Sequence, residues 1–596
     1  MPDINLDSLR KKIFEAHQGD KEQLDVIFST SSKLLVEAPA GYGKTKTMIS
    51  KIAFMIASQQ VPNPKRLLAL TFSVNAAYKI KLEVNKQIPD LLDNPRYKNT
   101  VNEKIVVSNY HGFCRNVLRK YGNNLHESLQ NINTIQSIDE SNAKTITQTI
   151  KGLSVSDLNL LVRFNTEVKN ANNSFLLSNI DQYNAIVTDF LLPNNVIPYN
   201  AILTMTYKLF KVYPKILEFY QKYFVSILVD EFQDTNLLSY YIIEQLITQK
   251  TKVIFFGDSL QRIYGFIGAI PNLLSFSETN FKLERKELKT NYRFAQNPQM
   301  LLLDLNIRKN AENPKKPIIN DKLVVDCEIS VNQVVEAKKI VDKTIILSRD
   351  NPELKVAILV KQRGPNIGQI IHSFEENKVS YFYGLFTDED ISYIDFHKKC
   401  LFEFICLINS SNLITKKLSI LHISSIRDFY ASSQAPLINA LLDLLNIFWN
   451  KLFVDFPFLS NEEKVNLIKE TFEHYSLKQY IEYVKTNVII STVHAAKGLE
   501  WDYVILPDIE QDLFPNWMGL CQNCTNKTDC RLIITDQNEK KFLEELSVFY
   551  VAITRARKQV FFSASNYQIG NYNSQWKKNI SCFLKLPGLE IHEQMD

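Results

Sequence analysis

The chain has 596 residues, 45% of them apolar and 22% charged, with a formal net charge of +5. That length exceeds what a single hydrophobic core organises, so several domains are expected, and the composition excludes a disordered or collagen-like chain. The modest positive balance permits a nucleic-acid partner without demanding one, because local patches matter more than the sum.

The N-terminal stretch MPDINLDSLRKKIF is charged and lacks the apolar centre of a secretory signal. A soluble, cytoplasmic chain with no membrane partner is therefore expected. The first chemical signal is LLVEAPAGYGKTKTM, Leu34 to Met48. An apolar run ends in a turn carrying Gly43, Lys44 and Thr45. The phosphate-binding loop has the form G-x-x-x-x-G-K-[S/T], and Ala38 stands where its first glycine belongs. Taken alone, this near-match fits either a phosphate cradle or a plain strand-to-helix turn.

Further along, VSILVDEFQDTN places Asp230 and Glu231 directly after a buried-strand pattern. Open α/β sheets bind ligands at the carboxyl ends of their strands. There Asp230, with the Thr45 hydroxyl, suits Mg2+, and Glu231 suits activation of an attacking water. The alternative is a surface acid pair capping a helix, which fits Asp234 better than the other two. A second strand pattern, KVIFFGDSLQRIYGFIGA, ends in Gly257-Asp258 with Gln261 three residues on. An amide at that place feels a γ-phosphate without competing for the metal. Tyr264 and Phe266 follow, and aromatics so placed read first as core. The apolar stretch PLINALLDLLNIFWNKLFVDFPFL is interrupted by Asp443, Asn446, Lys451 and Asp455, which predicts an amphipathic helix pair rather than a membrane span.

Eight cysteines without a secretory signal do not make a disulfide framework. Three of them, Cys521, Cys524 and Cys530, have the spacing C-x2-C-x5-C, which suits thiolate ligation of zinc or, as the lesser alternative, an iron–sulfur cluster. A fourth ligand is needed, and Cys582 is the nearest cysteine downstream. The other reading is a cysteine-rich surface loop that holds no metal.

The order of these segments resembles the superfamily 1 DNA helicases of the UvrD, Rep and PcrA type. The resemblance is carried by Gln23 ahead of the glycine-rich turn, LALTFSVNAA (Leu68 to Ala77), NYHGFCRNVLR (Asn109 to Arg119), the DEFQD segment, QRIYGFIGA, LKTNYRF (Leu288 to Phe294), STVHAAKGLEWDYVIL (Ser491 to Leu506) and FYVAITRARK (Phe549 to Lys558). It spans nearly the whole chain and decides the first question in favour of a phosphate loop.

The resemblance implies an α/β fold with two RecA-like parallel-sheet domains, each carrying a mainly helical insertion, and hydrolysis of ATP with Mg2+ at the interface of the two. It implies adenine reading by Gln23, stacking by Tyr292, ribose contact by Glu500, and phosphate binding by Ala40, Gly41, Gly43, Lys44, Thr45 and Lys46. Lys44, Asp230, Glu231, Gln261, Arg293 and Arg555 are the implied catalytic set, the two arginines reaching the γ-phosphate. Arg557 and Lys558 read as solvated charges. Phe72, Tyr110, His111, Tyr264, Phe266, Thr492 and His494 match positions that face single-stranded DNA, where stacking on aromatics tolerates any sequence. Arg262 and Ile267 depart from the family pattern, which has serine and arginine there, and Val74-Asn75 replaces an Asn-Lys pair.

The expected boundaries are 1–115 and 218–282 for the first RecA-like domain, with 116–217 as its helical insertion. Residues 283–411 and 486–596 form the second, with 412–485 as a reduced insertion and no room for a fused nuclease domain. The implied activity is ATP-dependent 3′-to-5′ translocation on single-stranded DNA, with unwinding of tailed duplexes. The alternative is a DNA-sensing regulatory ATPase working with a protein partner such as a separately encoded nuclease. An RNA helicase fits the segments less well.

Overall fold

The computed structural model describes residues 5–92, 103–138, 140–263, 265, 268–349, 351, 353–388, 390–411, 413–433, 435–524, 530–569 and 574–594. The chain divides into two compact units, Met1–Thr290 and Asn291–Asp596.

In the first unit the strands are β1 (Lys33–Glu37), β2 (Arg66–Thr71), β3 (Ile105–Asn109), β4 (Gln136–Ile138), β5 (Val196–Pro198), β6 (Phe224–Val229), β7 (Lys252–Gly257) and β8 (Glu284–Glu287). Six of them form a parallel sheet in the order β3-β2-β6-β7-β1-β8, while β4 and β5 pair separately. Successive residues in a strand point to opposite faces, so a sheet covered on both sides needs apolar residues at nearly every position. The two cores divide on that rule. Leu35, Leu68, Leu70, Ile227, Val229, Val253 and Phe255 face one core, and Leu34, Val36, Leu67, Ala69, Leu228, Ile254 and Phe256 face the other. The first core continues into the helices Val155–Lys169, Asn173–Ile186 and Tyr199–Val212 of the segment between β3 and β6.

The strand β8 was not legible as part of this sheet. Its sequence, Glu-Arg-Lys-Glu, carries no apolar residue, and a domain boundary near 282 follows from that reading. It nevertheless pairs with β1 at the sheet edge, Leu34 opposite Glu284 through Glu37 opposite Glu287. An edge strand has one unpaired side, and charges there are tolerated and discourage further pairing. The first unit therefore runs to Thr290.

The second unit is built on β9 (Leu323–Asn332), β10 (Val356–Val360), β11 (Phe382–Gly384), β12 (Val488–Thr492), β13 (Trp501–Leu506), β14 (Ala556–Ile569), β15 (Gln575–Lys577) and β16 (Leu589–Gln594). Its order is β11-β12-β10-β13-β14-β9-β16, all parallel, with β15 antiparallel on β14. Both sheets match the expected α/β class. Between β11 and β12 lie the helices Ile391–Ser411, Lys416–Phe429, Pro436–Asp455 and Asn461–Glu473. The expected helix pair within the apolar stretch is one continuous helix, Pro436–Asp455, with the turn after it at Phe456. By length and composition that helix could cross a membrane, yet Leu441, Leu444, Leu445, Phe448 and Trp449 pack inside the unit.

One buried polar cluster in this unit has a consequence for pH. Glu336, Asp508 and Glu510 bring carboxylate oxygens within 4.8 Å of one another. Glu336 accepts from Ser563 Oγ (2.8 Å) and Asn366 Nδ2 (3.0 Å), and Glu510 from Ser565 Oγ (2.7 Å). Burial, and then the Asp508 charge, push Glu510 up to about 7, and burial pushes Asp508 up to about 6. A carboxyl whose pKa is raised by folding holds its proton where the unfolded chain has released it, so its contribution to stability falls as pH rises between the two values. The window here runs from the ordinary 4.5 of Glu510 to about 7. Glu510→Gln cannot ionise, so the thermal midpoint of the variant minus that of the wild type should climb from about pH 5 to about pH 8. A difference that stays flat across that range contradicts the arrangement.

Candidate active site

The turn after β1 leads into the helix Lys44–Ala57, with Gly43 as its N-cap in the left-handed region (φ 78°). Gly41 is left-handed as well (φ 84°), so both positions favour glycine. Ala38 has no such backbone and donates its N–H to Gly257 O at 2.9 Å. That is the physical reason alanine is accommodated where the phosphate-loop pattern has its first glycine. Thr45 is exposed at the start of the helix, while Lys46 Nζ bonds Ala16 O. A helix N-terminus after such a turn presents free N–H groups and a positive dipole end to an anion.

Lys44 lies between Asp230 and Glu231, the two acids that follow β6. Its Nζ is 3.3 Å from Asp230 Oδ1, ion-paired outside hydrogen-bond geometry, and forms a short hydrogen bond to Glu231 Oε1. Burial pulls the Lys44 ammonium down, and the carboxylates of Asp230 and Glu231 outweigh it and hold the group above its ordinary value. Asp230 moves up, from burial first and despite Lys44. Its buried Oδ1, lacking a hydrogen bond, and the exposed Thr45 hydroxyl are hard oxygen donors that fit Mg2+.

Glu231 adopts a left-handed backbone (φ 51°), a strained conformation for a side chain of its size. Its other carboxylate oxygen accepts from Gln233 Nε2 at 2.6 Å. Gln233 Oε1 in turn accepts the Asp258 N–H at 3.1 Å, and Asp258 Oδ2 accepts from Gln261 Nε2 at 2.6 Å. A continuous chain of bonds therefore joins the residue after β6 to the amide after β7. Gln233 and Asp258 have no role assigned from sequence alone. The signal was available in DEFQD, since a buried amide two residues past the acid is well placed to orient it. Asp234 is buried rather than a surface cap. On the other side of β7, Ser259 Oγ donates to Glu37 Oε1 at 2.8 Å and Arg285 pairs with Glu37.

Gln23 is buried, donating its amide to Tyr42 O at 3.1 Å and meeting His17, whose other ring nitrogen reaches Ser50 Oγ at 2.9 Å. Phe72 and His111 are half-buried, His111 stacked on Tyr199 with centroids 3.8 Å apart. Tyr110 is a correction. Its ring is 2% exposed within the core and its hydroxyl meets Thr235 Oγ1 at 2.9 Å, so it offers no face to a base. Tyr264, Phe266 and Ile267 lie outside the described residues.

In the second unit Arg293 makes short hydrogen bonds to Glu500 and to Thr554 O. Arg557, expected to be solvated, is half-exposed but also reaches Glu500, 3.5 Å away. Burial pushes Glu500 up, and Arg293, Arg555 and Arg557 outweigh it and hold the carboxyl below its ordinary value. Arg555 is only 4% exposed and donates to Val551 O (2.9 Å), Leu499 O (3.2 Å) and Thr554 Oγ1 (3.1 Å). Tyr292 is 37% exposed, on a turn fixed by Asn291, which accepts from Phe294 N and donates to Asp304. Thr492 is buried and accepts from Ala495 N at 3.2 Å. Burial, and then the charges of Lys361, Lys478 and Lys497, lower His494 to about 4, so its ring is neutral near pH 7.

Residues 20–282 match the UvrD/REP helicase N-terminal domain family, and residues 411–567 match the UvrD-like helicase C-terminal domain family. The chain is similar to the ATP-dependent DNA helicase PcrA of Staphylococcus epidermidis, 24% identical over 639 residues, covering 91% of this chain and 83% of that protein. It is also similar to DNA helicase II of Rickettsia typhi, 25% identical over 647 residues, covering 92% of each chain.

The Gln233 network gives a direct test. Gln233→Leu keeps the size of the side chain and leaves the Asp258 N–H and one Glu231 oxygen without this partner. A buried group stripped of its hydrogen bond costs about 1–3 kcal/mol. The first unit of the variant should unfold at measurably lower urea concentration, and an unchanged midpoint would remove Gln233 from the bonded chain described above.

Proposed function

Since the chain belongs to the UvrD/Rep family of superfamily 1 helicases, we propose that it is an ATP-driven motor that moves 3′ to 5′ along single-stranded DNA and separates duplex ahead of it. The observation that carries this reading is the half-buried lysine that follows the glycine-rich turn, held by two acids beyond the end of β6.

In the proposed cycle the β- and γ-phosphates of ATP enter over the N-terminus of the helix Lys44–Ala57, where the N–H groups of the turn from Ala40 to Lys46 receive them. They draw Lys44 away from its carboxylates. A phosphate–lysine contact then replaces a carboxylate–lysine contact, so the ammonium is never left uncompensated. Glu231, released by Lys44 and still held at its second oxygen by Gln233, takes the proton of the attacking water. Thr45 and Asp230 would hold Mg2+, which when bound neutralises charge on the phosphate oxygens. Gln261, tethered to Asp258, reports on the γ-phosphate. Arg293 and Arg555 supply planar cations for the charge that spreads over the transferring phosphoryl group. Gln23 reads adenine, Tyr292 stacks on it, and Glu500 contacts the ribose once Arg293 turns toward phosphate.

On the DNA side, Phe72 and His111 offer ring faces, each base stacked being worth about 1–3 kcal/mol. The neutral His494 contributes a hydrogen bond rather than charge, whereas Thr492, buried and bonded to Ala495 N, shapes the loop that carries it.

Single-turnover strand displacement compares duplexes with 3′ and 5′ single-stranded tails. The 3′-tailed substrate should be unwound in the presence of ATP and the 5′-tailed one should not. Displacement from the 5′ tail would reverse the direction. ATP hydrolysis stimulated by single strands, with no displacement from either substrate, would favour a DNA-sensing regulatory ATPase that acts through a protein partner.

A further inference from the structure

The strongest feature outside the nucleotide chemistry is a group of four cysteines in the second unit. Cys521, Cys524, Cys530 and Cys582 line one small cavity of about 10 Å3, together with Gln511, Leu520 and Leu532. All four are free thiols; Cys521, Cys530 and Cys582 are buried and Cys524 half-buried. Three come from one loop, and the fourth is brought from the far side of β14.

Local structure sets each of them in place. Cys521–Asn523 is a single 3-10 turn closed by Cys524 N–H to Cys521 O at 3.1 Å, so the two sulfurs of the C-x2-C pair belong to one turn. Cys530 takes a left-handed backbone (φ 49°). The segment before Cys582 is zipped to the start of the loop. Gln511 N–H donates to Asn579 O (2.8 Å), Ser581 N–H to Ile509 O (3.0 Å), and Lys578 pairs with Asp512 (3.2 Å). Phe583 then packs its ring against Phe514, Phe542 and Phe549. These contacts fix Cys582 against the loop independently of any bond between the sulfurs.

We propose that Cys521, Cys524, Cys530 and Cys582 together bind one zinc ion. Four cysteines lining one cavity supply the donor types and the number that structural zinc takes. The cavity has about the volume of one water-sized sphere, which suits a single ion. The surroundings also supply an outer hydrogen bond of the kind that orients metal ligands. Asp512, in a left-handed conformation (φ 71°), directs its N–H to Cys521 Sγ at 3.4 Å, a bond a thiolate strengthens. The Cys521 thiol also reaches Pro515 O at 3.4 Å. Zinc binding would replace that donated bond, since the ligand is the deprotonated sulfur. The ion would staple the 3-10 turn Cys582–Lys585, which precedes β16, to the loop between β13 and the helix Glu539–Ile553. This site stands independently of the proposed motor activity.

The test is metal analysis of the full chain, purified without a metal-affinity step. The wild type should carry about one equivalent of zinc. Cys582→Ser, far in sequence from the C-x2-C pair, should lose most of it. A wild type without zinc, or a Cys582→Ser protein carrying as much zinc as the wild type, would overturn the proposal. So would iron with acid-labile sulfide in place of zinc. Because a serine variant can fail for want of folding, the unmutated chain produced with cobalt provides the second measurement. Four sulfur ligands require intense thiolate-to-cobalt absorption with tetrahedral d–d bands. The absence of thiolate bands, or an octahedral spectrum, would contradict the assignment.

Discussion

A lysine ammonium out of water needs opposite charge beside it, because an unpaired buried ion costs several kcal/mol. The first unit places its catalytic loop around that constraint. Lys44 belongs to the turn after β1, and its partners follow β6. In the sheet these two strands are not neighbours, and β7 lies between them. The end of β7 is accordingly the bridge. Asp258 takes the Gln233 bond from the β6 side, and Ser259 takes the Glu37 bond from the β1 side. Strand order thus explains why the two acids can meet the lysine and why three successive residues from Gly257 to Ser259 are polar or glycine. Two carboxylates for one ammonium leave net negative charge at the site, which a divalent cation and the phosphate N–H cradle are suited to offset.

The second unit solves a related problem with the signs reversed. Glu500 is one carboxylate among three arginines, and Arg555 donates to the carbonyls of Val551 and Leu499 and to the Thr554 hydroxyl. A guanidinium held by carbonyls keeps its charge available for an anion, whereas one held by a carboxylate must exchange partners. Arg293 is held in both ways, by the Glu500 carboxylate and by the Thr554 carbonyl. The same unit brings Glu336, Asp508 and Glu510 together, where burial raises all three carboxyls above their ordinary values.

Much of this was legible because the chemistry sits at strand ends. Apolar runs terminating in Gly-Lys-Thr, in Asp-Glu and in Gly-Asp mark β1, β6 and β7 and their acids. Residues whose role is to hold another residue were harder to read. Gln233 and Asp258 are ordinary polar letters until the strand order brings them together. Tyr110 reads as a DNA-facing aromatic beside His111, yet helix periodicity turns its ring into the core and leaves His111 at the margin. The charged edge strand β8 lacks the apolar pattern that reveals its neighbours. Cys582 was a distant cysteine by sequence, and only the pairing of 509–511 with 579–581 places it beside the other three.

In the proposed cycle Glu231 activates the water once Lys44 turns to phosphate, while nucleotide binding depends on Lys44 and the loop. Glu231→Gln separates the two, because an amide keeps the size of the side chain but cannot take a proton. Nucleotide affinity from a fluorescent ATP analogue and steady-state hydrolysis with single-stranded DNA should be measured on the same preparation. Affinity should stay close to the wild-type value, with turnover lower by about 100-fold or more. Wild-type turnover in Glu231→Gln would contradict the proposed cycle.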